Sequence, residues 1–182
     1  SMAEIGATGD AANAYNVGST IGREIAELGF NLDFAPVADL STNASNTEIG
    51  SRSFGSDPAL VSDMVSEEVR GLQRNGVSSC VKHFPGQGES GDDTHKGFVN
   101  LDVTIDRLRE VEFLPFQAGI DAGADLVMMS HVAVRNVTQN EVPASLSSLM
   151  VTDILREELQ FDGVVITDAM NMKVITKFYD AG

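Results

Sequence analysis

The densest run of chemically capable side chains is Lys82-His-Phe-Pro-Gly-Gln-Gly-Glu-Ser-Gly-Asp-Asp-Thr-His-Lys-Gly97. Its glycines and its proline disfavour regular structure, so it reads as a long loop gathering cations, carboxylates and two of the chain's 3 histidines. Asp93 and His95 are two residues apart and point the same way on an extended stretch. A carboxylate beside an imidazole fixes its tautomer and raises its basicity, which prepares a general acid/base. The same side chains could also cap a loop, or Asp92, Asp93, His83 and His95 could hold a metal, although no ligand spacing such as HExxH is present. Asp168 closes the apolar run Val164-Val-Ile-Thr167. A carboxylate there is costly unless solvated or paired, so it either faces a site or caps the helix that follows. Arg52, in Ile49-Gly-Ser-Arg-Ser-Phe-Gly55, and Lys82 are cations that would clamp hydroxyls or pair with the many acids. His131 follows an apolar run as well and reads as a satisfied histidine at the edge of the core.

The elements that must position these groups follow from periodicity. Helical spacing runs from Asp10 to Leu28 and stops at Gly29, and a second helix starts at Pro58 and is closed by Gly76. Two more helices are expected, over Ile105 to about Ala122 and over Ser147 to Leu159. Between them lie apolar runs fit for strands: Phe30 to Val37, Val77 to Lys82, Asp125 to Ser130 and Gly163 to Thr167. Continuously apolar strands separated by helices predict a parallel sheet buried on both faces. A doubly wound sheet and a (β/α)8 barrel both satisfy that pattern. Asp39, Lys82-His83, Ser130-His131 and Asp168 all follow strand C-termini, the rim from which a barrel builds its site. GxxxxGK[ST] is absent, and the GxGxxG spacing of Gly86-Gln-Gly-Glu-Ser-Gly91 lies in a long loop rather than in a turn joining strand directly to helix, so neither is a usual nucleotide-binding signal. The expected fold is therefore α/β, part of a TIM-type (β/α)8 barrel with about four parallel strands and alternating helices.

Twelve Lys and Arg against 27 Asp and Glu give a formal charge of -15. That excess repels nucleic acid and anionic membrane surfaces, so neither is expected as a partner. At 42% hydrophobic and 21% charged, the composition is that of a folded globular chain rather than a disordered one. The lone Cys80 excludes an intrachain disulfide and a thiolate metal cluster. It lies in an apolar run, where a buried inert thiol is expected. No apolar stretch approaches the roughly 20 residues that span a bilayer.

Four motifs in order carry a resemblance: Leu32-Asp-Phe-Ala-Pro-Val-Ala-Asp39, Arg52-Ser-Phe-Gly-Ser-Asp-Pro58, Lys82-His-Phe-Pro-Gly86 and Val164-Val-Ile-Thr-Asp168. Together they resemble family 3 glycoside hydrolases, in the beta-N-acetylhexosaminidase branch, over essentially the whole chain. The resemblance implies that Asp168 is the nucleophile, His95 the general acid/base and Asp93 its orienting partner. It implies that Arg52, Lys82 and His83 bind the hydroxyls of the sugar. It also implies an N-acetylglucosamine-containing oligosaccharide as partner, no cofactor and no metal. The Asp-x-His loop separates this branch from the beta-glucosidases of the family. Two departures stand out. The family's Gly-His-Gly-Asp reads Gly86-Gln-Gly-Glu89 here, and an acidic sugar-binding motif before the first helix is missing. Residues 1–182 thus read as a single, incomplete catalytic domain with about four of eight strand-helix units, whose open sheet edges favour self-association. Phosphorolysis of the same substrates, a beta-glucosidase-like hydrolase, a non-catalytic sugar-binding module and a metal-dependent hydrolase are the competing readings.

Overall fold

A computed structural model describes residues 1–91 and 99–179. After the short helix α1 (Met2–Gly6), α2 (Ala11–Glu27) begins where the Asp10 side chain accepts the Ala12 N–H. Helix α3 (Pro58–Gln73) is capped by Asp57, which accepts from Ala59 and Leu60, with Pro58 in the first turn where no N–H is needed. Its exit turns through Gly76 at φ +74°, a conformation costly for any residue with a Cβ.

The third helical stretch opens as α4 (Ile105–Arg107) under a Thr104 cap, widens into the π-wound turn Leu108–Glu112 and continues as α5 (Phe113–Asp121). It matches the single helix expected there, apart from that wider turn. A short helix α6 (Arg135–Thr138) follows the third strand. Leu149–Glu158 is again π-wound, and α7 (Lys173–Thr176) ends the described chain.

Four strands, β1 (Leu32–Asp33), β2 (Ser78–Phe84), β3 (Leu126–Met129) and β4 (Val164–Thr167), form one parallel sheet in the order β1-β2-β3-β4. The parallel α/β pattern expected from the sequence is present. The first strand is shorter than the expected Phe30 to Val37. Pro36 has no N–H to donate; past β1 the Cys80 and Lys82 N–H groups donate to the Ala35 and Pro36 carbonyls, and the Ala38 N–H donates back to the Lys82 carbonyl oxygen. The second strand is longer than expected and takes in Lys82, His83 and Phe84.

Pairing of Cys80 with Leu126 and Val164 sets the two faces of the sheet. Val81 and Val127 point to the helices and join Val65, Val69, Phe84, Phe113 and Phe116 in a fully packed layer. The Phe84 ring stacks on Phe113 and meets Phe116 edge-on, both at 5.2 Å between centroids. Cys80, Lys82, Leu126, Met128, Val164 and Ile166 share the other face, where Val164 is 57% exposed. Helices α2 and α3 touch backbone to backbone, since a Cβ on Gly71 would sit 2.4 Å from the Tyr15 carbonyl oxygen.

Candidate active site

The ends of the strands bring together most of the polar residues singled out in the sequence. Asp39 is fully buried, and donors surround its carboxylate. Oδ2 accepts the His83 backbone N–H at 3.1 Å and lies 2.6 Å from His83 Nδ1, while Oδ1 accepts the Gln87 N–H at 2.8 Å. The Asp39 carbonyl oxygen accepts from Ser53 Oγ at 2.7 Å. Gln87, itself buried, accepts from Ser130 Oγ at 2.5 Å and donates to Glu48 at 3.3 Å. Asn46 donates to the Gln87 carbonyl oxygen at 2.8 Å. One hydrogen-bonded frame thus ties the loop after β1, the end of β2 with its Gly-rich loop, and the residue following β3.

Asp168 stands at the end of β4, where its N–H continues the ladder to the Met129 carbonyl oxygen. One carboxylate oxygen accepts the Ala169 N–H at 2.7 Å. Under this turn lies His131, 1% exposed. Its Nε2 is 3.2 Å from the Ala169 carbonyl oxygen and its Nδ1 is 2.7 Å from Ser145 Oγ. A carbonyl only accepts, so Nε2 carries the proton and Ser145 donates to Nδ1. Burial holds the His131 pKa down. His131 is thus a satisfied histidine, as expected, and it supports the segment that presents Asp168.

Arg52 and Lys82 line one cleft of about 340 Å³, together with Phe34, Val37, Ser51 and Glu68. Arg52 is exposed, and its guanidinium donates to the Glu48 carbonyl oxygen at 2.9 and 3.2 Å. Lys82 is half-buried, and its pKa is lowered first by burial and then by the Arg52 charge, against which Asp33 and Asp168 act. His83 is not among the residues that line that cleft; its Nδ1 faces Asp39, and Nε2 is the ring nitrogen not engaged by that carboxylate.

Asp93 and His95 lie outside the described residues. So do most members of the metal alternative, and the remaining one, His83, has its Nδ1 engaged by Asp39. Among the described residues no group of three or more His, Cys, Asp or Glu could hold a metal ion, and no helix is long and apolar enough to cross a membrane. Cys80 is buried and its thiol is pushed up to about 12, chiefly by burial, which fits the inert role expected.

Two residues of the site region were not assigned a role from sequence. Asp39 was visible as an acid ending an apolar run, without a partner. Glu68 was missed, although the signal existed: it sits on the stripe Val61, Met64, Val65, Val69, Leu72 that α3 buries. It is 1% exposed, both its oxygens lack a hydrogen-bond partner, and burial, reinforced by Asp33 and opposed by Lys82, pushes it up to about 8.

Comparison with known proteins is consistent with this geometry. The model of the glycosyl hydrolase family 3 N terminal domain matches residues 1–181. The beta-hexosaminidase of Stenotrophomonas maltophilia (strain R551-3) is 43% identical over 149 residues, covering 82% of this chain and 43% of that protein. The glycoside hydrolase family 3 beta-N-acetylglucosaminidase from Paenibacillus sp. str. FPU-7 superposes with a TM-score of 0.95 at 44% identity, over 98% of this chain and 34% of its own. The beta-glucoside phosphorylase BglX bound to 2FGlc superposes with a TM-score of 0.94 at 30% identity, over 97% of this chain and 33% of its own. The chain therefore spans between a third and a half of the length of these relatives.

Proposed function

The chain belongs to glycosyl hydrolase family 3, and from that premise we propose that it forms part of the catalytic domain of a retaining, exo-acting beta-N-acetylglucosaminidase. The reaction would remove a terminal beta-linked N-acetylglucosamine from chitin or peptidoglycan fragments. The observation that carries the reading is Asp168, held by the β3–β4 ladder and close enough for its charge to act on Lys82, which with Arg52 lines a cleft suited to a hydroxyl-rich ligand.

In this reading the free oxygen of Asp168 attacks the anomeric carbon, since the Ala169 N–H engages the other one. The bond from the anomeric carbon to the leaving oxygen breaks, and the His95 imidazolium gives that oxygen its proton. A glycosyl ester on Asp168 results. His95, now neutral and oriented by Asp93, takes a proton from water as the water oxygen attacks the same carbon. The ester bond breaks and the sugar leaves with its configuration retained. Typical retaining enzymes use two carboxyl groups, so the imidazole donor departs from that template. Arg52, Lys82 and His83 hold the ring hydroxyls, which positions the anomeric carbon over Asp168.

A second reading has its own support. The likeness to a beta-glucoside phosphorylase, a site with two cations, and a proton donor that adds no second carboxylate all favour phosphate as acceptor in place of water. Product analysis with and without inorganic phosphate separates the two, since only phosphorolysis yields the sugar 1-phosphate.

The primary test is the full-length protein on a chromogenic N-acetylglucosaminide. Asp168→Asn is expected to abolish turnover, because the amide is too poor a nucleophile to form the ester. Retention of more than a few per cent of activity, on the order of 1 in 20, would overturn the assignment at a loss of under about 2 kcal/mol in barrier height.

A further inference from the structure

Resting on the hydroxyl-binding role of His83 given above, we infer that Asp39 is the positioning residue that makes His83 an acceptor for a sugar hydroxyl. Three observations lead there. The Asp39 carboxylate is fully buried, and a backbone N–H is aimed at each of its oxygens, from His83 onto Oδ2 and from Gln87 onto Oδ1. Both oxygens are therefore used as acceptors. His83 Nδ1, 2.6 Å from Oδ2, must then carry the ring proton. In the neutral ring that leaves the lone pair on Nε2. A hydroxyl of the bound sugar donates to Nε2, while Lys82, one residue earlier, brings a donor to a neighbouring oxygen.

The opposite arrangement exists in the same molecule. His131 donates from Nε2 to the Ala169 carbonyl oxygen and accepts from Ser145 on Nδ1. The two rings therefore hold opposite tautomers, each set by the group behind it. Such a buried acceptor acts through orientation: without it the ring is free to turn and to move its proton to Nε2, where it would meet the sugar as a donor. The bond spans 44 positions of sequence and ties the end of β2 to the loop after β1, so it also fixes where the ring sits.

Residues 1–182 contain 3 histidines, few enough for their ring nitrogen-15 signals to be assigned by single His→Asn variants. In the neutral ring, His83 is expected to show a protonated Nδ1 and a bare Nε2, with His131 showing the reverse. A neutral His83 ring protonated at Nε2 overturns the inference without any variant. In Asp39→Leu the Nδ1–H signature is expected to vanish and the affinity for free N-acetylglucosamine, followed by the same spectra, to fall roughly tenfold, the scale of one well-placed hydrogen bond. An unchanged tautomer and affinity in that variant refute the role. His83→Asn covers the case of a variant that does not fold. Its amide keeps a donor where Nδ1 stood and has no atom at Nε2, so Tm should stay near wild type while affinity drops by the same factor. Retained affinity overturns the acceptor role. If the full-length wild-type protein binds no N-acetylglucosamine at all, the functional reading and the hydroxyl contact fail together. The tautomer of His83 still decides whether Asp39 sets it.

Discussion

Glu68 gives the sharpest quantitative expectation. The residue is 1% exposed, with its backbone and Cγ against Gly18 of α2 and no hydrogen-bond partner on either carboxyl oxygen. Burial is the first cause that raises it from 4.5 to about 8, Asp33 adds to the rise and Lys82 opposes it. In the unfolded chain Glu68 loses its proton near the ordinary value, while the folded protein keeps it until about 8. Between those values the folded state binds more protons, so stability falls as pH rises through that window. At 1.36 kcal/mol per pKa unit the full loss is about 5 kcal/mol above pH 8, and about 3 kcal/mol is already lost at pH 7. Glu68→Gln keeps the volume and removes the titration. The amide leaves its own buried polar atoms unpaired at a cost that does not depend on pH, so the slope is the test and the offset is not. Tm of both proteins is measured by circular dichroism from pH 4 to pH 8.5. For a chain of this size 1 kcal/mol moves Tm by about 2–4 °C. The variant should therefore gain on the wild type by roughly 10–20 °C across the range. Parallel curves would show that Glu68 ionises freely in the folded state, and the reasoning from burial would fail.

Three further outcomes are expected. In the full-length protein His95→Ala should slow poor leaving groups far more than good ones, by roughly 100- to 10,000-fold, with Asp93→Asn acting in the same direction but less strongly; equal slowing of both substrate types counts against the acid role. Gly71→Ala should cost about 1–3 kcal/mol in urea denaturation, because the new Cβ would lie 2.4 Å from the Tyr15 carbonyl oxygen and drive α2 and α3 apart; a neutral effect would mean the helices slide freely. The 182-residue chain alone should self-associate in size-exclusion chromatography with light scattering, since among the described residues β1 and β4 each pair on one side only and Val164 is 57% exposed; a clean monomer would remove that expectation.

Much of the fold was legible because it is encoded locally. Asp10, Asp57 and Pro58 mark helix starts through their own side chains and dihedrals, and the apolar runs around Val81, Val127 and Val165 mark strands buried on the helix side. The order of those elements, and polar residues confined to strand ends, were enough to expect a parallel α/β sheet with its site on one rim. The early end of β1 was also readable in principle, because Pro36 cannot donate to a ladder. The pairings were not readable. Asp39 meets His83 across 44 positions and Gln87 meets Ser130 across 43, and both depend on strand register and on how far each loop folds back. Glu68 is the clearest case. Its helical position placed it on the buried stripe, but its perturbed ionisation arises from the close crossing of α2 on α3 and from Asp33 and Lys82 on other elements. Helix and strand preferences are properties of neighbouring residues, whereas the electrostatic environment of a carboxylate is set by whatever the tertiary fold packs around it.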